Sequence, residues 1–103
     1  MPPEHRPPTR SQLRLPAVLF ALSDPARLHI LKTLEARGET MCAAVGLTLA
    51  KSSCSRHFKV LREAGVIRTR RCGTAYLNSL RREELDARFP GLLDAVLGAL
   101  IGR

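Results

Sequence analysis

The chain alternates short apolar-periodic stretches with proline and glycine punctuation, and that pattern predicts its elements. Leu15, Val18, Leu19 and Leu22 recur at i, i+3, i+4 and i+7, the spacing of one helical face, with Pro16 near a first-turn position that tolerates proline. Ser23-Asp24-Pro25 marks a second start: Asp24 can cap free amides, Pro25 has its φ preset, and Leu28, Leu31 and Leu34 carry a helix to about Arg37 before Gly38 stops it. Thr40 is read as the cap of a third, brief helix over roughly residues 41–46, and Gly46-Leu47-Thr48 as a tight break before Lys51. Two short helices joined in this way predict a helix-turn-helix.

From residue 52 to 64, Cys54, Phe58 and Leu61 form one apolar stripe, whereas Ser52, Ser55, Arg56, Lys59 and Glu63 fall on the other side. Gly65 is the residue expected at a left-handed C-cap. Val66 to Arg71 then reads as a strand, Cys72-Gly73 as a turn and Thr74 to Ser79 as a returning strand, a hairpin rich in arginine. Residues 81–103 predict a short helix over about 82–88, an interruption at Phe89-Pro90-Gly91, and a last helix starting near Pro90. Leu92, Leu93, Val96, Leu97, Leu100 and Ile101 give that last helix a broad apolar face. The first and last helices carry more apolar surface than so small a core needs, which points to a two-fold dimer.

Charge narrows the function. A chain of 103 residues supports one small domain, and its net charge of +8 asks for an acidic partner. No run approaches the ~18 apolar residues of a membrane span, so a cytoplasmic protein is expected. Between Lys51 and Arg82 the basic residues are Lys51, Arg56, Lys59, Arg62, Arg68, Arg70, Arg71, Arg81 and Arg82, against the single acid Glu63. That distribution suits a helix in the major groove and a hairpin whose arginines reach phosphate or the minor groove. Residues 1–12 hold four prolines and no apolar periodicity, and are read as a flexible N-terminal arm ahead of a domain over 13–103.

The stretches LFALSDPARLHILKTL (19–34) and KSSCSRHFKVLREAGVIRTRR (51–71), with Gly73 beyond them, resemble the ArsR/SmtB family of winged helix-turn-helix repressors, whose second and recognition helices carry such signatures in this order. The resemblance covers about residues 15–80. It implies a mainly α fold with a small β-hairpin, a homodimer through the first and last helices, a palindromic operator in double-stranded DNA, and control by an inducer, commonly a transition metal. It places Lys51, Ser52, Ser55 and Arg56 at the family's DNA-touching positions. Arg56 suits bidentate contact to guanine, and Lys59, Arg68, Arg70 and Arg71 complete the expected DNA-binding set.

The family's inducer sites are largely absent. Glu39 and Met41 align with its C-x-C thiolate box, with Cys42 one residue off, while Arg82 and Glu84, then Ala95 and Gly98, align with its D-x-H and H-x-x-H ligands. The remaining donors suggest mixed nitrogen and oxygen ligation, with His5 of the arm closing over Glu84 and Asp86 of the C-terminal helices, which suits nickel, zinc or cobalt rather than a thiophilic ion. Cys42, Cys54 and Cys72 lack disulfide or zinc-knuckle spacing and are read as reduced thiols. Cys54 and His57 stand three apart on one helix, yet no third orienting group or oxyanion donor accompanies them, so no enzyme is expected. His29, among leucines, reads as structural. Two alternatives stand beside the DNA-binding regulator: a basic RNA-binding or ribosome-associated domain, and a regulator governed by a partner protein or by thiol oxidation.

Overall fold

The structure, a computed structural model, describes residues 7–101. Five helices and three strands follow in the order α1 (Leu15–Ala21), α2 (Pro25–Arg37), β1 (Thr40–Met41), α3 (Lys51–Ala64), β2 (Ile67–Cys72), β3 (Ala75–Leu80), α4 (Arg82–Arg88) and α5 (Leu92–Leu100). The sheet is antiparallel in the order β1-β3-β2. Its inner face packs on α2 and α3, so the molecule is a winged helix-turn-helix.

Local signals account for most boundaries. The Asp24 carboxylate accepts the Ala26 amide at 2.8 Å and the Arg27 amide at 3.2 Å, and Pro25 occupies the first turn where no amide is missed. Desolvation works to raise the Asp24 pKa, but the Arg27 and Ala26 amides and the nearby His57 and Arg27 outweigh it and hold the carboxyl below its ordinary range. α3 ends in a Schellman closure, with Val66 N–H donating to Leu61 O and Gly65 N–H to Arg62 O. Gly65 has φ of +84°, and a Cβ there would lie 2.2 Å from Leu13 Cδ2. Both the backbone and the packing therefore require glycine.

Leu13, Val18, Ile30, Leu31, Phe58, Leu61, Val66, Ile67, Leu85 and Leu93 form the core, drawing on every helix and on β2. The α3 stripe of the sequence is borne out at Phe58 and Leu61, whereas Cys54 is half-buried at its edge.

Three local expectations change. Thr40 does not cap a helix: its hydroxyl donates to Gly38 O at 2.7 Å and its backbone pairs with Asn78, so residues 40–41 add a third strand to the hairpin. The residues after it, Cys42–Val45, close only a 3-10 turn. The cause is long-range, since β3 presents a free edge that a chain emerging from α2 can pair with. The hairpin turn is shifted by one residue, because Cys72 pairs with Ala75 and leaves Gly73-Thr74 as the loop. In the segment read as an arm, Arg10–Gln12 form a 3-10 turn held by a capping box between Thr9 and Gln12, and Leu13 behind it is fully buried. Burial of Leu13 against Gly65 supplies the anchoring that composition alone did not suggest. His5 lies outside the described residues.

Because the Asp24 carboxyl titrates lower in the folded chain, its contribution is present above the pKa of the unfolded chain and is lost as pH falls through the folded value. Asp24→Ala is expected to cost about 1 kcal/mol near neutral pH. Urea melts of both proteins should show the gap closing as pH falls below the ordinary aspartate range; a gap unchanged in acid would refute the cap as its source.

Candidate nucleic-acid interface

Amphipathic packing aims α3. With Phe58, Leu61 and Ala64 inward, Lys51, Ser52, Ser55, Arg56 and Lys59 are all exposed. Lys59 lies 4.0 Å from Glu63, an i,i+4 pair at the surface. Lys51 and Arg56 pair with no carboxylate among the described residues. No acid stands in the first turn of α3, and its N-cap, Ala50, offers no side-chain oxygen. The positive end of the helix dipole is left uncompensated by any acid of its own first turn.

What holds this helix in place was not singled out in the sequence. Arg27 of α2 is only 8% exposed. Its guanidinium donates Nε–H to Ala21 O at 2.7 Å and Nη2–H to Phe20 O at 3.2 Å, closing the C-terminal end of α1. The third arm of the fork lies 3.1 Å from His57 Nδ1 on α3, with Asp24 Oδ2 3.8 Å from the same nitrogen. An arginine N–H can only donate, so in this contact Nδ1 is the acceptor. Phe20 covers the guanidinium, its ring centroid 5.2 Å away. The signal was available: 27, 30, 31 and 34 share one helical face, which puts a charge among core leucines.

Cys54 and His57 are engaged separately, Cys54 Sγ with Leu49 O at 3.8 Å and His57 with Arg27. His29 Nε2 donates to Val45 O at 2.9 Å and ties α2 to the turn before α3, in keeping with a structural histidine. In the sheet, the buried Asn78 amide donates to Thr40 O at 3.2 Å and contacts Cys42 Sγ at 3.3 Å, while its oxygen accepts from Thr69 Oγ1 at 2.7 Å. One side chain thus fixes β1, β2 and β3 in register.

The arginines of the hairpin, grouped together in the sequence, are separated by the pleat. Successive side chains point to opposite faces. Ile67, Thr69 and Arg71, with Asn78 and Tyr76 opposite, share the face that packs on α2 and α3; Arg68 and Arg70 lie on the other. Arg68 reaches Glu84 at 2.8 Å. Arg70 reaches across β3 to form a two-pronged pair with Glu39 at 2.6 and 2.8 Å, which holds the glutamate below its usual range and raises the arginine. Arg71 pairs with no carboxylate among the described residues: its Nε–H donates to Gly73 O at 3.1 Å and its guanidinium lies 5.9 Å from the Tyr76 ring centroid.

The carboxylates considered for metal are held by arginines. Arg81, itself buried, grips both oxygens of Glu84 at 2.7 and 2.8 Å; this hydrogen bonding, with the charges of Arg81 and Arg68, keeps Glu84 below the ordinary range against its desolvation. Arg82 joins Asp86 at 2.9 Å, Glu35 at 3.2 Å and Asp94, tying α4 to α2 and α5. Among the described residues no three His, Cys, Asp or Glu side chains are placed to hold a metal ion. No helix among them is long and apolar enough to cross a membrane.

Comparison with known proteins agrees with this geometry. A helix-turn-helix domain family matches residues 22–70, from the end of α1 into β2. The uncharacterised HTH-type transcriptional regulator YceK of Bacillus subtilis is 40% identical over 82 residues, covering 77% of this chain and 82% of that protein. Among solved structures, an ArsR family transcriptional regulator superposes with a TM-score of 0.66 at 25% identity, over 86% of this chain and 98% of the other. The transcriptional repressor BigR of Xylella fastidiosa shares the fold, with a TM-score of 0.65 at 24% identity over 86% and 88% of the two chains. The chain belongs to the ArsR-type winged helix-turn-helix transcriptional regulators.

Proposed function

We propose that this regulator acts in the bacterial cytoplasm as a homodimer that reads a palindromic operator in double-stranded DNA, with α3 in the major groove. The observation that carries the reading is the outer face of α3: exposed cations and hydroxyls on a helix whose packing and Arg27–His57 contact fix its direction. Ser52, Ser55 and Arg56 present donors toward base edges, Lys51 and Lys59 supply charge for phosphate, and two such helices in a dimer would sit about 34 Å apart. RNA is the weaker match, because the deep major groove of an A-form duplex does not admit a helix presented in this way.

Dimerisation is supported by apolar surface that one chain leaves uncovered. On α1, Leu19 is 47% and Phe20 62% exposed, and beyond α5 Ile101 is 59% exposed. Exposed apolar side chains of this kind, on α1 and at the end of α5, fit a self-complementary interface. Since Phe20 also covers Arg27, the interface would border the group that holds α3. An inducer or partner protein that changed the angle between protomers would then change how far apart the two α3 helices lie.

Metal control by nickel, zinc or cobalt enters this reading as the response common in such regulators. At Glu84 and Asp86 an ion has to displace Arg81 and Arg68, or Arg82, from the carboxylates. Any site there has to be built with the N-terminal residues or across the dimer.

Arg56→Ala is expected to lower the preference for operator over random duplex by about tenfold or more while leaving random-duplex affinity within a few fold, measured by competition with unlabelled duplex DNA and structured RNA. Equal displacement by RNA would count against the DNA reading. Sedimentation equilibrium should find a dimer that Leu19→Glu dissociates; a monomeric wild-type chain would remove the two-fold arrangement. Calorimetric titration with nickel, zinc and cobalt is expected to show at most weak binding at neutral pH that strengthens in Arg82→Ala, and the absence of saturable heat in both proteins would exclude these ions as inducers.

A further inference from the structure

The three hairpin arginines sit in different surroundings, and their surroundings assign them different work. Two lie on the outer face of the sheet with their charge already matched: Arg68 to Glu84, and Arg70 to Glu39 through both carboxylate oxygens. For either to bind a phosphate, a well-formed carboxylate pair must first be broken, leaving an acid beside the polyanion. Arg71 is the opposite case. It lies on the sheet face shared with α2 and α3, next to the Gly73-Thr74 loop, exposed and with no carboxylate partner among the described residues. Its side chain is nonetheless not loose, because Gly73 O accepts its Nε–H and the ring of its cross-strand partner Tyr76 lies beneath it. Those two contacts leave the terminal nitrogens of the fork to bind something else.

Resting on the DNA-binding reading above, we infer that Arg71 alone of the three is the hairpin's contact to the DNA backbone, that Tyr76 is its positioning residue, and that Arg70 is a structural latch closed on Glu39. The sequence offers no such division, since Arg68, Arg70 and Arg71 are chemically alike and adjacent. Tyr76 acts through its π face, which holds the guanidinium extended toward the loop and lowers the freedom lost when phosphate binds. Its hydroxyl is not needed for this.

The test uses the full chain and a fluorescently labelled DNA duplex of mixed sequence, so that backbone contacts are read without knowledge of the operator. Dissociation constants are measured over a salt series for wild type, Arg71→Ala, Tyr76→Ala, Tyr76→Phe and Arg70→Gln, each first shown by circular dichroism to be folded. Arg71→Ala is expected to weaken binding about tenfold at low salt and to reduce the slope of log K against log salt by about 0.9. Tyr76→Ala should weaken binding about two- to fivefold, with Tyr76→Phe close to wild type. Arg70→Gln should keep the wild-type slope. The inference is overturned if Arg70→Gln loses a slope unit, if Arg71→Ala keeps its slope, or if Tyr76→Phe falls as far as Tyr76→Ala. Absence of salt-dependent duplex binding by the wild type would instead bring down the DNA-binding reading, and this inference with it.

Discussion

The arrangement depends on one buried guanidinium. Arg27 is fixed in α2, yet its hydrogen bonds go to the last carbonyls of α1 and to an imidazole on α3. A charge removed from water is tolerated when all its donors find acceptors, and here the acceptors are groups whose positions matter for function. At the end of α1 the fork takes up the Ala21 carbonyl and joins Ser23 at the Phe20 carbonyl. The same contact that satisfies them sets the relation between α1, which carries the exposed apolar face, and α3, which carries the exposed cationic one. Apolar packing at Phe58 and Leu61 sets which face of α3 turns inward, and the single prong of the fork that reaches His57 adds a directional contact between α2 and α3.

Arginine serves a second purpose in the lower half of the molecule. Arg81 and Arg82 gather Glu84, Asp86, Glu35 and Asp94, so that α2, α4 and α5 are joined by ion pairs beside a small core. Isolated surface pairs contribute little, but networks with two-pronged geometry and partial burial contribute more. One consequence is electrostatic. The acids of the chain are largely concentrated where arginines consume them, at the base of the sheet and in α4 and α5, while Lys51, Arg56 and Arg71 face solvent without such partners among the described residues. The exposed cations of α3 and of the hairpin end are thereby left to act on a polyanion.

Much of this was legible in the residues. The Asp24-Pro25 start, the glycine stop after Ala64, the two-residue length of the hairpin turn and the break before α5 are local signals, set by φ preferences and capping oxygens a few residues away. The outward face of α3 was equally legible, because a period of 3.6 residues separates Phe58 and Leu61 from Ser52, Ser55 and Arg56 whatever the rest of the fold does. Where expectations changed, a distant partner intervened. Thr40 has the chemistry of a cap, but the free edge of β3 nearly forty residues later recruits it into a strand. Residues 1–12 have the composition of an arm, but Arg10–Gln12 close a 3-10 turn ahead of Leu13, which fills the space that Gly65 leaves open.

The sequence by itself thus determined the longer helices and the hairpin, the helical faces and the excess of positive charge, since each follows from short-range geometry or from simple addition. Only the tertiary structure decided which charges remain available. Arg68, Arg70 and Arg71 are indistinguishable as a run of letters; the pleat sends the first two to the outer face and the third to the inner, and Glu84 and Glu39, from remote segments, then match the outer pair. Likewise Glu84 and Asp86 look like ligands until Arg81 and Arg82 are found holding them. Whether a charge is free or matched is a property of neighbours in space, and chain folding alone supplies those neighbours.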